Sequence, residues 1–109
     1  MVEKNDIMFN NIKKFYQAAS KEFDISKILI YGSYVRGMVN ENSDIDLAVI
    51  LKDNRSLKHI DITTRLFLIA SKIDNRIEPK CIFEHELETM EPASILAEII
   101  RTGIEIEIN

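Results

Sequence analysis

The run Leu47-Ala48-Val49-Ile50-Leu51 limits the architecture of this chain more than any other feature. Five apolar residues without a polar break read as a strand central in a sheet and covered on both faces. The same segment, however, opens with Asp44-Ile45-Asp46. Residues two apart on a strand share a face, with Cα atoms roughly 6.5–7 Å apart. Two ionised carboxylates held that way raise one another's pKa unless a cation lies between them. Hard oxygen ligands in that arrangement suit Mg²⁺ or Mn²⁺. The plainer reading of Asp-x-Asp is a solvated strand edge, but the apolar continuation argues for a metal-binding pair.

The rest of the chain supplies partners for such a strand. Met8, Ile12, Phe15, Tyr16, Ala19 and Phe23 recur at helical spacing and predict a helix over 7–23, ended by Asp24 and Ser26. A short β-branched strand follows over 27–31, stopped by Gly32-Ser33. After the acidic strand at 44–51, Ile62, Leu66, Ile69, Ala70 and Ile73 form the inner stripe of a helix over 57–73. Residues 76–83 predict a third strand, with Glu78, Lys80 and Ile82 on one face and Pro79 marking an edge or a bulge. Residues 84–91 read as an irregular acidic stretch. Pro92 then suits a first helical turn, Ile95, Leu96, Ile99 and Ile100 form the last stripe, and Gly103 stops it. The alternation in Ile104-Glu105-Ile106-Glu107-Ile108 predicts a short closing strand, able to pair within the chain or with a second subunit. The fold class expected is α/β (α+β), a small mixed sheet flanked by helices.

Composition narrows the function classes. The 109 residues are 46% apolar with 3 Gly and 2 Pro, which predicts one domain spanning 1–109 and no low-complexity region. Fourteen Lys and Arg against 18 Asp and Glu give a net charge of −4, so stable nonspecific nucleic-acid binding is not expected. A single cysteine, Cys81, excludes an internal disulfide and a cysteine-rich zinc site. The polar, acid-containing start resembles no signal peptide, and no apolar run approaches the ~20 residues of a membrane span. These features predict a cytoplasmic protein. His59 and His85 have no ligand-like spacing and read as surface residues.

The combination Gly32-Ser33, ten intervening residues, then Asp44-x-Asp46 resembles the signature of the DNA polymerase beta-like nucleotidyltransferase superfamily. Tyr31-Gly32-Ser33-Tyr34-Val35-Arg36-Gly37, Ser43-Asp44-Ile45-Asp46-Leu47 and the ending Glu98-Ile99-Ile100-Arg101-Thr102-Gly103-Ile104 resemble the minimal nucleotidyltransferases more closely. The resemblance implies that Asp44 and Asp46 ligate two Mg²⁺ ions, with Mn²⁺ able to substitute. It implies a third carboxylate on a neighbouring strand, for which Glu78 is the best candidate, although aspartate is commoner there. Asp74 is a lesser rival, read as a turn residue. Gly32 and Ser33 would hold the triphosphate of a nucleoside triphosphate, ATP by the same resemblance, with Arg36 and Ser43 beside it.

The implied activity is transfer of AMP to an acceptor hydroxyl. Minimal nucleotidyltransferases are often paired with a helical HEPN-type toxin (higher-eukaryote-and-prokaryote nucleotide-binding), whose tyrosine they adenylylate as antitoxins. The chain ends about 30 residues after Glu78, so an added acceptor-binding domain is not expected. Two alternatives stay open: a non-catalytic module that masks a helical partner, and transfer to a small molecule. The oligomeric state is open too.

Overall fold

The computed structural model describes residues 4–32, 44–54 and 56–107. Helix α1 (Lys4–Ala19) leads into strand β1 (Ile25–Tyr31), and β2 (Ile45–Leu51) follows. Helix α2 (His59–Ser71) then connects to β3 (Ile77–Phe83). Two short helices, α3 (Glu84–Thr89) and α4 (Ile95–Thr102), precede a two-residue β4 (Ile104–Glu105). The four strands lie in the order β3-β2-β1-β4. Strand β2 runs antiparallel to β1 and parallel to β3, and β4 is antiparallel to β1, so the sheet is mixed as expected.

The apolar run explains this order. Strand β2 is interior, and Ile45, Leu47, Ala48, Val49, Ile50 and Leu51 are all buried. Ile45, Leu47, Val49 and Leu51 face α1 and α2, where Met8, Ile12, Phe15, Ala19, Ile62, Leu66 and Ile69 complete one core. Ala48 and Ile50 face the opposite way, into a smaller core with Leu29, Ile82 and Ile99 of α4. Strand β3 is the outer strand beyond β2, so Pro79 sits at a sheet edge. Its register with β2 is unbroken, and the irregularity lies instead in β1 between Ile25 and Lys27.

Several boundaries differ from the sequence reading. Helix α1 ends at Ala19, and Phe23 still packs on the core from the turn that follows; Ser26 belongs to β1. The acidic stretch after β3 is helical. The Asp53 carboxylate accepts the His85 N–H at 3.0 Å and pairs with the His85 ring at 2.8 Å, so a distant loop satisfies a donor of the first turn. Glu84 and Glu86 add favourable charge at that end. Pro92 lies two residues before the cap of α4 rather than in its first turn. Ser94 is the cap, its hydroxyl accepting the Ala97 N–H at 3.1 Å. Gly103 ends α4, but at φ −67°, so conformational freedom is not the reason. A Cβ there would lie 2.6 Å from the Ile99 carbonyl oxygen and 3.3 Å from the Leu29 Cβ. The closing strand pairs within the chain: Ile104 and Glu105 align with Ile30 and Leu29, and the buried Ile106 donates to the Ile28 carbonyl at 2.9 Å.

Candidate active site

Strand register gathers the acids. Tyr31, Asp46 and Glu78 are aligned neighbours across β1, β2 and β3. Aligned residues project to one face, and adjacent strands are about 4.8 Å apart. That face is the one that carries Leu29, Ala48, Ile50 and Ile82, the α4 side of the sheet. Asp44, two residues before Asp46, extends the row at the mouth of β2. Asp46 is half-buried, while Asp44 and Glu78 are exposed.

The electrostatics follow from this crowding. The Glu78 carboxyl is held above the usual carboxylate range by partial burial, then by the charges of Asp44 and Asp46 and by hydrogen bonding to both. The Tyr31 phenol is likewise raised, first by burial and then by the charges of Asp46 and Glu78. The predicted trio of Asp44, Asp46 and Glu78 thus meets around one space. Among the described residues no three such side chains are closed into a metal-holding cluster. The donor set fits a hard divalent cation: it is all carboxylate, and its members repel one another in its absence.

Gly32 ends β1 directly beside the acids. Its φ is +75°, which side-chain-bearing residues rarely adopt. An added Cβ would also stand 2.4 Å from Asp46 Oδ2. Glycine is therefore required twice over, for its backbone conformation and for the room it leaves the Asp46 carboxylate. Ser33, Arg36 and Ser43, the other residues expected at the nucleotide, lie outside the described residues.

Asp74 does not join the trio. Its carboxylate accepts from the Arg76 backbone N–H at 3.0 Å, Arg76 Nε at 3.0 Å, Arg76 Nη2 at 2.8 Å and Asn11 Nδ2 at 3.1 Å. The Arg76 hydrogen bond holds its pKa down at about 2. It ties the turn before β3 to α1, as its reading as a turn residue implied. His59 and His85 are exposed as expected, paired with Glu86 and Asp53 and packed on Phe83. Cys81 is buried, and burial pushes its thiol up to about 11.

Sequence reasoning missed one element of the site. A cavity of about 270 Å³ opens beside the acids, lined by Tyr31, Gly32, Asp46, Ile95, Glu98, Ile99 and Thr102. Ile95 was expected in the buried stripe of the last helix but is 77% exposed, and only Ala97 and Ile99 of α4 are buried. The available signal was a pair of i, i+4 spacings, Ile95–Ile99 and Glu98–Thr102, which place two apolar and two polar residues along one helix flank.

Residues 10–108 match the family described as "Polymerase beta, Nucleotidyltransferase". The chain is 30% identical over 86 residues to "Putative protein adenylyltransferase MJ0141" of Methanocaldococcus jannaschii, spanning 75% of this chain and 79% of that one. Its fold is similar to that of "a putative nucleotidyltransferase from Sulfolobus solfataricus", with TM-score 0.61, 18% identity, and coverage of 90% of this chain and 78% of the other. A second similar structure is of "the toxin-antitoxin with AMP-PNP", with TM-score 0.55, 20% identity, and coverage of 93% and 73%. A match across nearly the whole sequence, on a sheet that sets Asp44, Asp46 and Glu78 beside Gly32, leads to one conclusion: the chain belongs to the polymerase beta nucleotidyltransferase family.

Proposed function

We propose that this protein transfers AMP from ATP to a tyrosine hydroxyl of a helical HEPN-type toxin and so acts as its antitoxin. The observation that carries the reading is the alignment of Asp46 with Glu78 across parallel strands, with Asp44 beside them and Gly32 at the same end of the sheet. The name of the Methanocaldococcus jannaschii relative and the nucleotide analogue of the toxin–antitoxin structure support the substrate class.

In the reaction the acceptor oxygen forms a bond to the α-phosphorus. The bond from that phosphorus to the β-bridging oxygen breaks, pyrophosphate leaves, and the acceptor proton passes to a nearby base or to solvent. Asp44, Asp46 and Glu78 would hold divalent Mg²⁺, whose chemistry is to neutralise phosphate charge and lower the pKa of a bound hydroxyl. Gly32, with Ser33, would cradle the triphosphate through backbone amides. Arg36 and Ser43 would add donors to it. Positioning and charge stabilisation then supply the catalysis, with no covalent protein intermediate.

The test is incubation with a helical HEPN-type protein, Mg²⁺, and ATP labelled at either the α or the γ phosphate. Label should reach a partner tyrosine from the α position alone. Transfer of the γ label, or no transfer by a preparation that binds ATP, overturns the reading.

One feature favours a second reading, a module that works by masking its partner. Ile60, Phe67 and Leu68 lie exposed along the outer side of α2, opposite its buried stripe. If the triple variant Ser33→Ala, Asp44→Asn, Asp46→Asn still neutralises the partner fully, masking is the mechanism.

A further inference from the structure

The cavity under α4 has a composition that tells what it takes. Ile95 and Ile99 give it apolar walls, and its volume of about 270 Å³ is below the ~300–1,000 Å³ usual for a whole small-molecule ligand. A nucleoside triphosphate does not fit inside it, whereas one aromatic ring does. Among the described residues the charged side chains along its wall are Asp46 and Glu98, and the Glu98 carboxylate is paired with Arg101. The Asp46 carboxylate accepts a hydrogen bond from a neutral hydroxyl. Thr102 turns its own hydroxyl back to the Glu98 carbonyl at 2.7 Å, which leaves its methyl group for the cavity. Asp46 ties the cavity to the candidate catalytic acids, and Gly32 borders both. Ile95, 77% exposed, contributes little to the core and lines that wall.

We infer that this cavity is the acceptor seat, in which a phenolic side chain lies against Ile95 and Ile99 with its hydroxyl directed at Asp46. The inference rests on the transferase reading above and specifies where the acceptor enters: from the α4 side, with the triphosphate on the Gly32 side of the same acids. Ile95, Ile99 and Thr102 are positioning residues in this scheme.

The probe is p-cresol, the side chain of tyrosine, titrated without nucleotide into isotope-labelled protein and followed by NMR. The methyl signals of Ile95 and Ile99 should shift, saturating in the millimolar range that so small a ligand allows. Thr102→Trp, an exposed position, fills the cavity and should weaken cresol binding about tenfold or more. Ile95→Ser, also exposed, should weaken it severalfold without unfolding the protein. Adenosine should leave these methyls unmoved, and ATP with Mg²⁺ should shift the Gly32 amide in all three proteins. If adenosine moves the same methyls and displaces cresol, the cavity is a nucleobase pocket and the inference falls. If cresol moves nothing, it falls as well. Failure of the transferase reading is separate: it would show as an unmoved Gly32 amide with ATP, whatever cresol does.

Discussion

The two faces of the sheet are built to different ends. The face under α1 and α2 is sealed, and Met8, Ile12, Phe15, Ile28, Ile45, Leu47, Val49 and Leu66 are each almost fully buried there. The face under α4 has a small core of five buried residues, and toward the start of β2 it gives way to three acids, a phenol and a cavity. Strand β2 belongs to both. Its odd-numbered residues anchor the closed side, and its even-numbered ones run from Asp46 through Ala48 to Ile50 on the open side. Stability is thus concentrated on one face, which lets the other carry like charges in close quarters. Sites that need such repulsion are commonly offset by stability elsewhere in the fold.

The largest expected effect breaks function and spares the fold. Asp46→Asn removes the central carboxylate of the row, and AMP transfer should fall by about a thousandfold or more. Circular dichroism should show the native fold retained, because the closed face is untouched. A variant that keeps a tenth of wild-type transfer would remove Asp46 from the chemistry.

The converse change is Leu66→Ala, on the closed face and 0% exposed. It should lower unfolding free energy by about 3 kcal/mol, the usual result of opening a cavity in a packed core. Transfer by the fraction still folded should be near normal. Equal loss of stability from Ile99→Ala, in the smaller cluster, would show that the two faces share the load evenly. The expectation is a smaller loss for Ile99.

These contrasts bear on how much the sequence showed in advance. The five-residue apolar run placed β2 in the interior, and alternation along it put the acids on one side and Ile45, Leu47 and Val49 on the other. Those features are local, so the periodicity carries them. Pro79 pointed to an edge or a bulge in β3 for an equally local reason, its missing donor, and the edge is what the sheet shows. What escaped depends on distant partners. The helix at Glu84–Thr89 has no apolar stripe, and its first turn is satisfied by Asp53, 32 residues earlier. Ile95 fits the period of a buried stripe and is nevertheless exposed, because α4 overhangs the cavity at its first turn. Glycine at position 32 was legible as a turn, but its 2.4 Å conflict with the Asp46 carboxylate appears only when β1 and β2 are paired.

A pH experiment separates the two sides again. The Asp74 side chain is 8% exposed and engaged by Arg76 and Asn11 where the turn before β3 meets α1. Its pKa is lowered from 3.8 to about 2. The folded state therefore holds this proton more weakly than the unfolded one. The stabilisation is fully present above the unfolded value, declines as pH falls below it, and is lost once the pH passes the folded value near 2. Asp74→Asn should cost roughly 2 kcal/mol at neutral pH and almost nothing at the acid end of that window. A cost that does not change with pH would mean that the carboxylate charge contributes nothing there.

The smallest expected effect is on stability at the mouth of the cavity. Ile95→Ser exchanges a large apolar side chain for a small polar one, a change that costs several kcal/mol in a core. At 77% exposure Ile95 has little burial to lose, so the unfolding free energy should stay within about 0.5 kcal/mol of wild type. Chemical denaturation measures this directly, and it is best read beside Leu66→Ala in the same titration series. A loss of 2 kcal/mol or more would mean that Ile95 is packed on other parts of the chain in solution, and the open face would then be closed at its rim. An unchanged midpoint leaves an exposed isoleucine beside a candidate catalytic acid with no role in holding the fold. Its apolar surface is then available to a partner's side chain.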